Sequence, residues 1–461
     1  MESFYQDVRY GARMLMRSPG FTAIAILTLA LGIGANVAIF TFVNAVLLRP
    51  LPFTQPQQLV RIFDDLGGAN LKNVGMSVPE MEDLRDRSGV FDGLTVIWPV
   101  SAALTGGDHP ERIELMVTSP SYFHLLSVKP QLGRVFGPED AVPGFSDAAL
   151  ISDGLWKRQF GKDPNILGKK VRIDTDLYTI VGVVPAGFEH PGETVQGNVD
   201  VYAACGFSAN PFPHPPLRSQ NFLPGAIGRM KAGMTVAQAQ AKLDAFAAHL
   251  RESYPKEYPE VARWSLRLEP VQENLTGKVR TTLLVLLTAV GFVLLIACVN
   301  IASLLLARSS GRIRELAIRR ALGAARGRIV RQLLTESLLL SVAGGLSALA
   351  VLFWLRDSLV ALMPADLPRM NEVHFDWRVV GFALVLSLVT GIVFGLVPAL
   401  HASGADPNQD LKLGNRTGGG GAHQNRFRSV LVTAEIALSL MLLIAAGLLV
   451  RSFWDTLQVR P

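Results

Sequence analysis

Four long apolar runs, at 20–48, 281–307, 329–355 and 377–400, leave this chain few folds to choose from. Each reaches or exceeds the roughly 20 residues an α-helix needs to cross a bilayer. Inside a bilayer, only a helix or a closed barrel satisfies its own backbone. A fifth run, 429–450, follows the same pattern. Charge then sets sidedness. Between the second and third runs lies Arg308–Arg331, with arginines at 308, 312, 314, 319, 320, 326, 328 and 331 against one acid, Glu315. Short loops this basic stay on the cytoplasmic face. The next connection, Arg356–Asp376, sets two arginines against Asp357, Asp366, Glu372 and Asp376, which suits the opposite face. The reading is consistent from end to end, with the N-terminus and residues 308–328 and 403–426 inside, and residues 49–278 outside.

A charged fraction of 18% is low beside about 25% for soluble proteins. The net charge of +6 concentrates in loops that flank the membrane. Basic tracts interleaved with aromatics are missing, so nucleic acid is not an expected partner. Cys205 and Cys298 give no metal spacing and are not expected to pair, one lying in a polar region and the other in an apolar run. Residues 1–19 read as an interfacial amphipathic helix, with Phe4, Val8, Ala12 and Leu15 at helical spacing and Arg9, Arg13 and Arg17 on other faces. The run after it is too long for the 7–15-residue core of a cleaved signal peptide. Small residues mark places where helices can approach closely: Gly32, Gly34 and Ala38, then Gly344 and Gly345, then the GxxxG pair Gly391 and Gly395.

Residues 49–278 contain no membrane-length run and read as a large α/β domain outside the membrane. Ser77–Glu80 and Thr235–Gln238 are written as capping boxes that open helices. Arg112–Val117 reads as a strand, Lys170–Val184 as a hairpin and Trp264–Leu268 as a returning strand. Runs near 58–126 and 226–272 bracket a strand-rich middle, so a subdomain inserted at about 130–225 is expected.

Catalytic signatures do not emerge. Gly161–Lys170 has the wrong spacing for a P-loop, and Gly418–Gly421, in a flexible linker over 403–426, is not followed by Lys-Ser or Lys-Thr. The eight histidines show no metal spacing, no nucleophile elbow is present, and neither cofactor nor metal is expected. Small-ion transport normally needs ionisable groups in mid-membrane. Here Glu336 and Glu435 both lie near a cytoplasmic end, the first within reach of the loop arginines, while Asn36, Asn44 and Asn300 are placed to bridge helices. Within the basic loop, Ile313, Leu316, Ala317 and Ala321 share one helical side, and Gly323 is a stop signal. That is a short amphipathic helix on the cytoplasmic face. It serves either as a topological anchor or as a coupling helix docked on a separate ATPase.

Asn300–Arg308, Arg314–Ala324 and Arg331–Ser337 closely resemble the FtsX-like permease signature of MacB-type ABC transporters, as does Phe394–Leu400. Ile151–Trp156, Phe160-Gly161, Asp163-Pro164, Gly168 and Ile180–Val183 resemble the MacB-type periplasmic core domain. The resemblance implies an α-helical integral membrane protein of the bacterial inner membrane, with a four-span FtsX-like bundle over 280–402, a fifth helix and a large α/β extracytoplasmic domain. It implies no catalytic residues of its own and a dependence on a cytoplasmic ABC ATPase dimer. Arg314, Glu315, Leu316, Ala317, Arg319, Arg320 and Gly323 would receive the force, and Gly34, Gly344, Gly345, Gly391 and Gly395 would pack the helices. A second permease half and a periplasmic adaptor are the further partners. The fifth run looks like the start of a second copy, so a duplicated permease cut after its first half is expected. The other reading, from a different class, is a mechanotransmission regulator of a cell-wall hydrolase or signalling partner that moves no cargo.

Overall fold

The structure, a computed structural model, describes residues 2–105, 110–192, 194–195, 198–212, 214–310, 326–361, 376–404 and 422–458. It divides into two compact units, one built around residues 1–48 and the helices beyond 280, the other around residues 49–279.

The first unit opens with α1 (Glu2–Met16) and α2 (Pro19–Val43), with Pro19 in the first turn of α2. That is where a missing N–H leaves no bond unmade. A π-helical turn over Asn44–Leu48 follows.

The α/β unit runs through β1 (Leu59–Leu66), β2 (Leu71–Val74), α3 (Val78–Arg87), β3 (Phe91–Thr105), β4 (Glu111–Thr118), α4 (Tyr122–Leu126), β5 (Leu132–Gly133), β6 (Phe145–Ile151), α5 (Asp153–Phe160), β7 (Lys170–Ile173), β8 (Asp176–Val183), β9 (Val201–Cys205), β10 (Ala226–Met230), α6 (Val236–Ser253) and β11 (Trp264–Pro270). Its strands form one sheet in the order β11-β1-β10-β3-β4-β9-β6-β8-β5, with β2 beside β1 and β7 beside β3 and β8. The long strand β3 carries the join. Its first half pairs with β10 from Phe91 to Val96, and its second with β4 from Ile97 to Leu104. The chain therefore leaves β3 for β4–β9 and returns at β10, beside the strand on which it began. Most ladders are antiparallel, while β4–β9 and β6–β8 are parallel. The hairpin expected over 170–184 is β7–β8, and the strand expected over 112–117 is β4.

Both faces of this sheet are buried, so period-2 alternation divides the side chains between two cores. Val60 and Ile62 of β1 enter one, with Leu84 of α3 and Leu243 and Leu250 of α6. Leu59 enters the other, with Tyr122, Phe123, Leu125 and Leu126 of α4. Arg229 ties down the rim of the second core. Its guanidinium donates to Leu125 O at 2.7 Å and to Thr54 O at 2.7 Å.

The two expected capping boxes come out differently. At α6 the box is complete: Thr235 Oγ1 accepts from Gln238 N at 3.3 Å, and Gln238 Oε1 accepts from Thr235 N at 3.0 Å. Thr235→Ala is expected to lower the stability of the full chain by about 1 kcal/mol, with Thr235→Ser nearly neutral. A denaturation midpoint in detergent measures both. At α3 only half of the box forms. Ser77 Oγ accepts from Glu80 N at 3.3 Å, while the Glu80 carboxyl turns inward and accepts from Tyr258. Burial among β1 and β11 side chains has taken that carboxylate away from the helix end.

The remaining helices are α7 (Val271–Ser310), α8 (Arg326–Ala361), α9 (Trp377–Gly404) and α10 (Ala422–Gln458). Four stretches are long and apolar enough to cross a membrane: Pro19–Leu48, Val279–Leu306, Val330–Leu355 and Trp377–Leu396. Helix α10 holds a shorter apolar stretch, Val432–Leu448. Helix α7 starts ten residues before the expected span, directly after Pro270 ends β11, and α10 begins at Ala422, inside the expected linker. Cys205 and Cys298 are free and buried.

Candidate functional site

The basic loop that dominates the sequence reading lies between α7 and α8. Arg314, Glu315, Leu316, Ala317, Arg319, Arg320 and Gly323 fall outside the described residues. What the structure gives is the bundle that holds the two ends of this loop.

That bundle is joined by small residues. On α8, Ser337, Ser341 and Gly345 recur every four residues. On α9, Ser387, Gly391 and Gly395 do the same. The two rows meet in antiparallel register. A Cβ placed on Gly395 would lie 2.6 Å from Ser337 Cβ, and one on Gly391 would lie 2.4 Å from Ser341 Oγ and 3.1 Å from Leu338 Cα. One on Gly345 would lie 2.1 Å from Ser387 Oγ. Each serine thus faces a glycine, and the backbones approach as closely as small residues permit. The hydroxyls do not stand bare in an apolar seam. Ser337 Oγ donates to Leu333 O at 3.1 Å, Ser341 Oγ to Leu338 O at 3.1 Å and Ser387 Oγ to Ala383 O at 2.7 Å.

Helix α2 packs on the same helix α8. A Cβ on Gly344 would lie 2.6 Å from Leu29 Cβ, whereas one on Gly34 would make an ordinary 3.5 Å contact with Ala348 Cβ. Gly32 takes Leu294 of α7 in the same way, at 3.0 Å from Leu294 Cδ1. Asn36 bridges this pair, its Nδ2 donating to Gly32 O and Val290 O, both at 2.9 Å. At the other end of α2, Asn44 Nδ2 donates to Asp376 Oδ2 at 3.1 Å, and Asp376 Oδ1 caps α9 through the N–H groups of Arg378 and Val379. Asn300 is half-buried in α7. The small pocket lined by Cys298, Ser337, Ser341 and Thr390 measures about 10 Å³, the room of one water molecule.

The start of α8, where the chain leaves the basic loop, is gripped by α1. Arg331 Nε donates to Asp7 Oδ2 at 2.7 Å. One helical turn further on, Gly11 lies over Leu339 and Glu336, at 2.9 Å and 3.6 Å from an added Cβ. Glu336 is buried there and accepts from Gln332 Nε2 at 3.5 Å. Glu435 is half-buried on α10. Together, α1 and α9 hold α8 on two sides. Asp7 and the serines 337, 341 and 387 do not stand out in the sequence reading. The signal for the serines was present: the four-residue spacing of small residues continues past the glycines on both helices.

The α/β unit contributes buried titratable groups. Among the described residues, no group of three or more His, Cys, Asp or Glu is placed to hold a metal ion. His190 accepts or donates through Nδ1 to the Tyr122 hydroxyl at 2.5 Å. Burial, followed by the nearby Arg61 charge, lowers its pKa to about 3, so the ring is neutral at physiological pH.

Two family models match the chain. The MacB-like periplasmic core domain matches residues 22–246, and the FtsX-like permease C-terminal domain matches residues 287–407. The macrolide export ATP-binding/permease protein MacB of Burkholderia thailandensis is 27% identical over 288 residues, which cover 62% of this chain and 41% of that protein. The ABC transporter permease YknZ of Bacillus subtilis is 24% identical over 337 residues, covering 72% of this chain and 78% of that protein. The periplasmic region of MacB from Actinobacillus actinomycetemcomitans aligns structurally with a TM-score of 0.35 at 14% identity, over 49% of this chain and 92% of that one. The chain spans about two fifths of the length of the MacB relatives it matches. Carrying both domains in one multi-pass chain, with an α/β domain of the extracytoplasmic type, the protein belongs to the MacB/FtsX-like ABC transporter permeases.

Proposed function

We propose that this protein is the permease subunit of a MacB-type export system of the bacterial inner membrane, driven by a separate cytoplasmic ATPase. The observation that carries this reading is the way the bundle holds the helix that follows the loop. A strongly basic segment with an amphipathic pattern is joined to α7 and α8, and α8 is clasped by α1, α2 and α9. No P-loop motif lies within the 461 residues, and in this reading the energy comes from an ATPase outside them. The names of the relatives support the export side: macrolide export for MacB of B. thailandensis and pyoverdine export for PvdT of Pseudomonas aeruginosa.

In this reading, Arg314, Glu315, Leu316, Ala317, Arg319, Arg320 and Gly323 form a coupling helix docked on the ATPase, and the N-terminus is cytoplasmic. Gly34, Gly344, Gly345, Gly391 and Gly395 keep the helices close enough to move together. ATP-driven closure then shifts the extracytoplasmic domain against its cargo. An ATPase dimer needs a matching second half, from this chain type or another, and a periplasmic adaptor would continue the path outward.

The double substitution Glu315→Lys with Leu316→Lys tests the coupling helix. It removes the loop's one acid and places a charge on the apolar face, where burial without a partner costs several kcal/mol. Co-purification with the cognate ATPase and stimulation of its turnover are expected to fall more than tenfold, with the chain still inserted in the membrane. Wild-type stimulation in this variant would overturn the assignment.

A further inference from the structure

Two carboxyl groups are buried against each other in the α/β domain, where a lone charge has no business being. Asp64 of β1 and Glu80 of α3 are both fully inaccessible to solvent and in hydrogen-bonding contact. Asp64 Oδ2 accepts from Trp264 Nε1 at 2.9 Å, and Glu80 Oε2 accepts from the Tyr258 hydroxyl at 3.1 Å. This leaves Asp64 Oδ1 and Glu80 Oε1 buried with no protein donor. Two ionised carboxylates in this position would repel each other and leave both oxygens unmet. One proton held between them meets both.

The groups facing the pair come from every element packed against it. Tyr258, in the chain after α6, stacks on Trp264 of β11 with ring centroids 4.1 Å apart. Arg218 donates to the Tyr258 hydroxyl at 3.3 Å and pairs with Asp83, one turn along α3 from Glu80. Asp65, next on β1, is engaged by Arg267 at 2.8 Å. Arg218 is thus the nearby cation, and its charge is shared with Asp83.

We propose that Asp64 and Glu80 are a proton-sharing latch that fastens α3 to β1, so that the extracytoplasmic domain loosens when the surrounding solution becomes alkaline. The proton passes from the carboxyl pair to solvent base, with no other bond made or broken. Burial raises the pKa of both groups. Glu80 is pushed up to about 7, against the pull of its hydrogen bonds to Asp64 and Tyr258 and of the Arg218 charge. Asp64 is raised well above the carboxylate range, by burial first and by the Glu80 charge second. A group whose folded pKa is raised gives stability that is fully present below its unfolded pKa and is lost as pH rises through the folded one. The loss therefore runs from the ordinary carboxylate range, about 4, up through about 7 for Glu80, with Asp64 raised in the same direction.

The test uses the full chain in nanodiscs, with hydrogen exchange of Val78–Arg87 followed at pH 6 and pH 8.5 and corrected for intrinsic rates. Protection is expected to drop at least tenfold at the higher pH. In Asp64→Asn, whose amide can donate to Glu80 and accept from Trp264, the drop is expected to shrink below threefold. Should Asp64→Asn not fold, Glu80→Gln serves as the second variant. The infrared band of a protonated carboxyl at neutral pH, present in the parent and lost in either variant, reports the proton directly. A pH-independent parent, an unchanged drop in the folded variants, or a parent without that band would each overturn the latch. So would protection restored at pH 8.5 by millimolar Ca²⁺, which would make the pair a cation site.

Discussion

Leucine at position 391 is expected to drive α8 and α9 apart. The first carbon of any side chain there meets Leu338 Cα at 3.1 Å, and Leu338 Cα is backbone. Ser341 Oγ, 2.4 Å away, can rotate aside, but a backbone atom cannot, so the helices themselves must separate. Overpacking of this kind costs about 1–3 kcal/mol, and separation also loosens the neighbouring Gly395–Ser337 and Gly345–Ser387 contacts. The same change at Gly381 is the control. An added carbon there meets nothing within 4 Å, although the helix is the same. Gly381→Leu is expected to match the parent or exceed it slightly, because glycine weakens a helix interior. Unfolding midpoints in mixed micelles would show the contrast, with ATPase stimulation falling in the first variant alone. Equal behaviour of the two variants would mean that the seam is not what binds α8 to α9.

The largest stability loss in the α/β domain is expected from Phe123→Ala. Phe123 of α4 is fully buried, and its ring lies 5.0 Å from Tyr122, 5.1 Å from Tyr202, 5.7 Å from Phe136 and 6.0 Å from Phe188, centroid to centroid. Removing it leaves a ring-sized cavity that four aromatic neighbours cannot readily fill, at a cost of about 3–5 kcal/mol. Leu177→Ala, at a position on β8 that is 49% exposed, should change stability by no more than about 0.5 kcal/mol. Chemical denaturation of the full chain, followed by the fluorescence of its tryptophans, separates the two outcomes. A Phe123→Ala loss below about 1 kcal/mol would show that this core relaxes far more than packed interiors do.

The local grammar of the fold was legible. The apolar runs announced α2, α7, α8 and α9 because length and hydrophobicity alone decide membrane insertion, and the Thr235–Gln238 box opened α6 because its bonds close within four residues. The same grammar misled at Ser77–Glu80. There the pattern was right, but a contact between residues sixteen apart in the chain, Glu80 and Asp64, outcompeted the local bond. The candidate site was half legible. Glycines 345, 391 and 395 stood out, whereas their serine partners did not, since serine is ordinary in sequence until a facing helix gives it a role. Asp7 was likewise one acid among the arginines of an amphipathic helix until Arg331, 324 residues away, was placed beside it.

By itself, then, the sequence determined the class of protein, the four long apolar helices, the α/β character of residues 49–278 and the family, because each rests on short-range patterns or on bilayer thickness. The tertiary structure decided how distant segments meet. It set β1 between β10 and β11, strands that begin 226 and 264 residues into the chain, and it set α8 against α9 in a register where Ser337, Ser341 and Ser387 each face a glycine. It also buried Asp64 on Glu80. Many registers share the same residue periodicity, and only close packing of whole elements, where a shift of one residue exchanges contact for clash, selects among them.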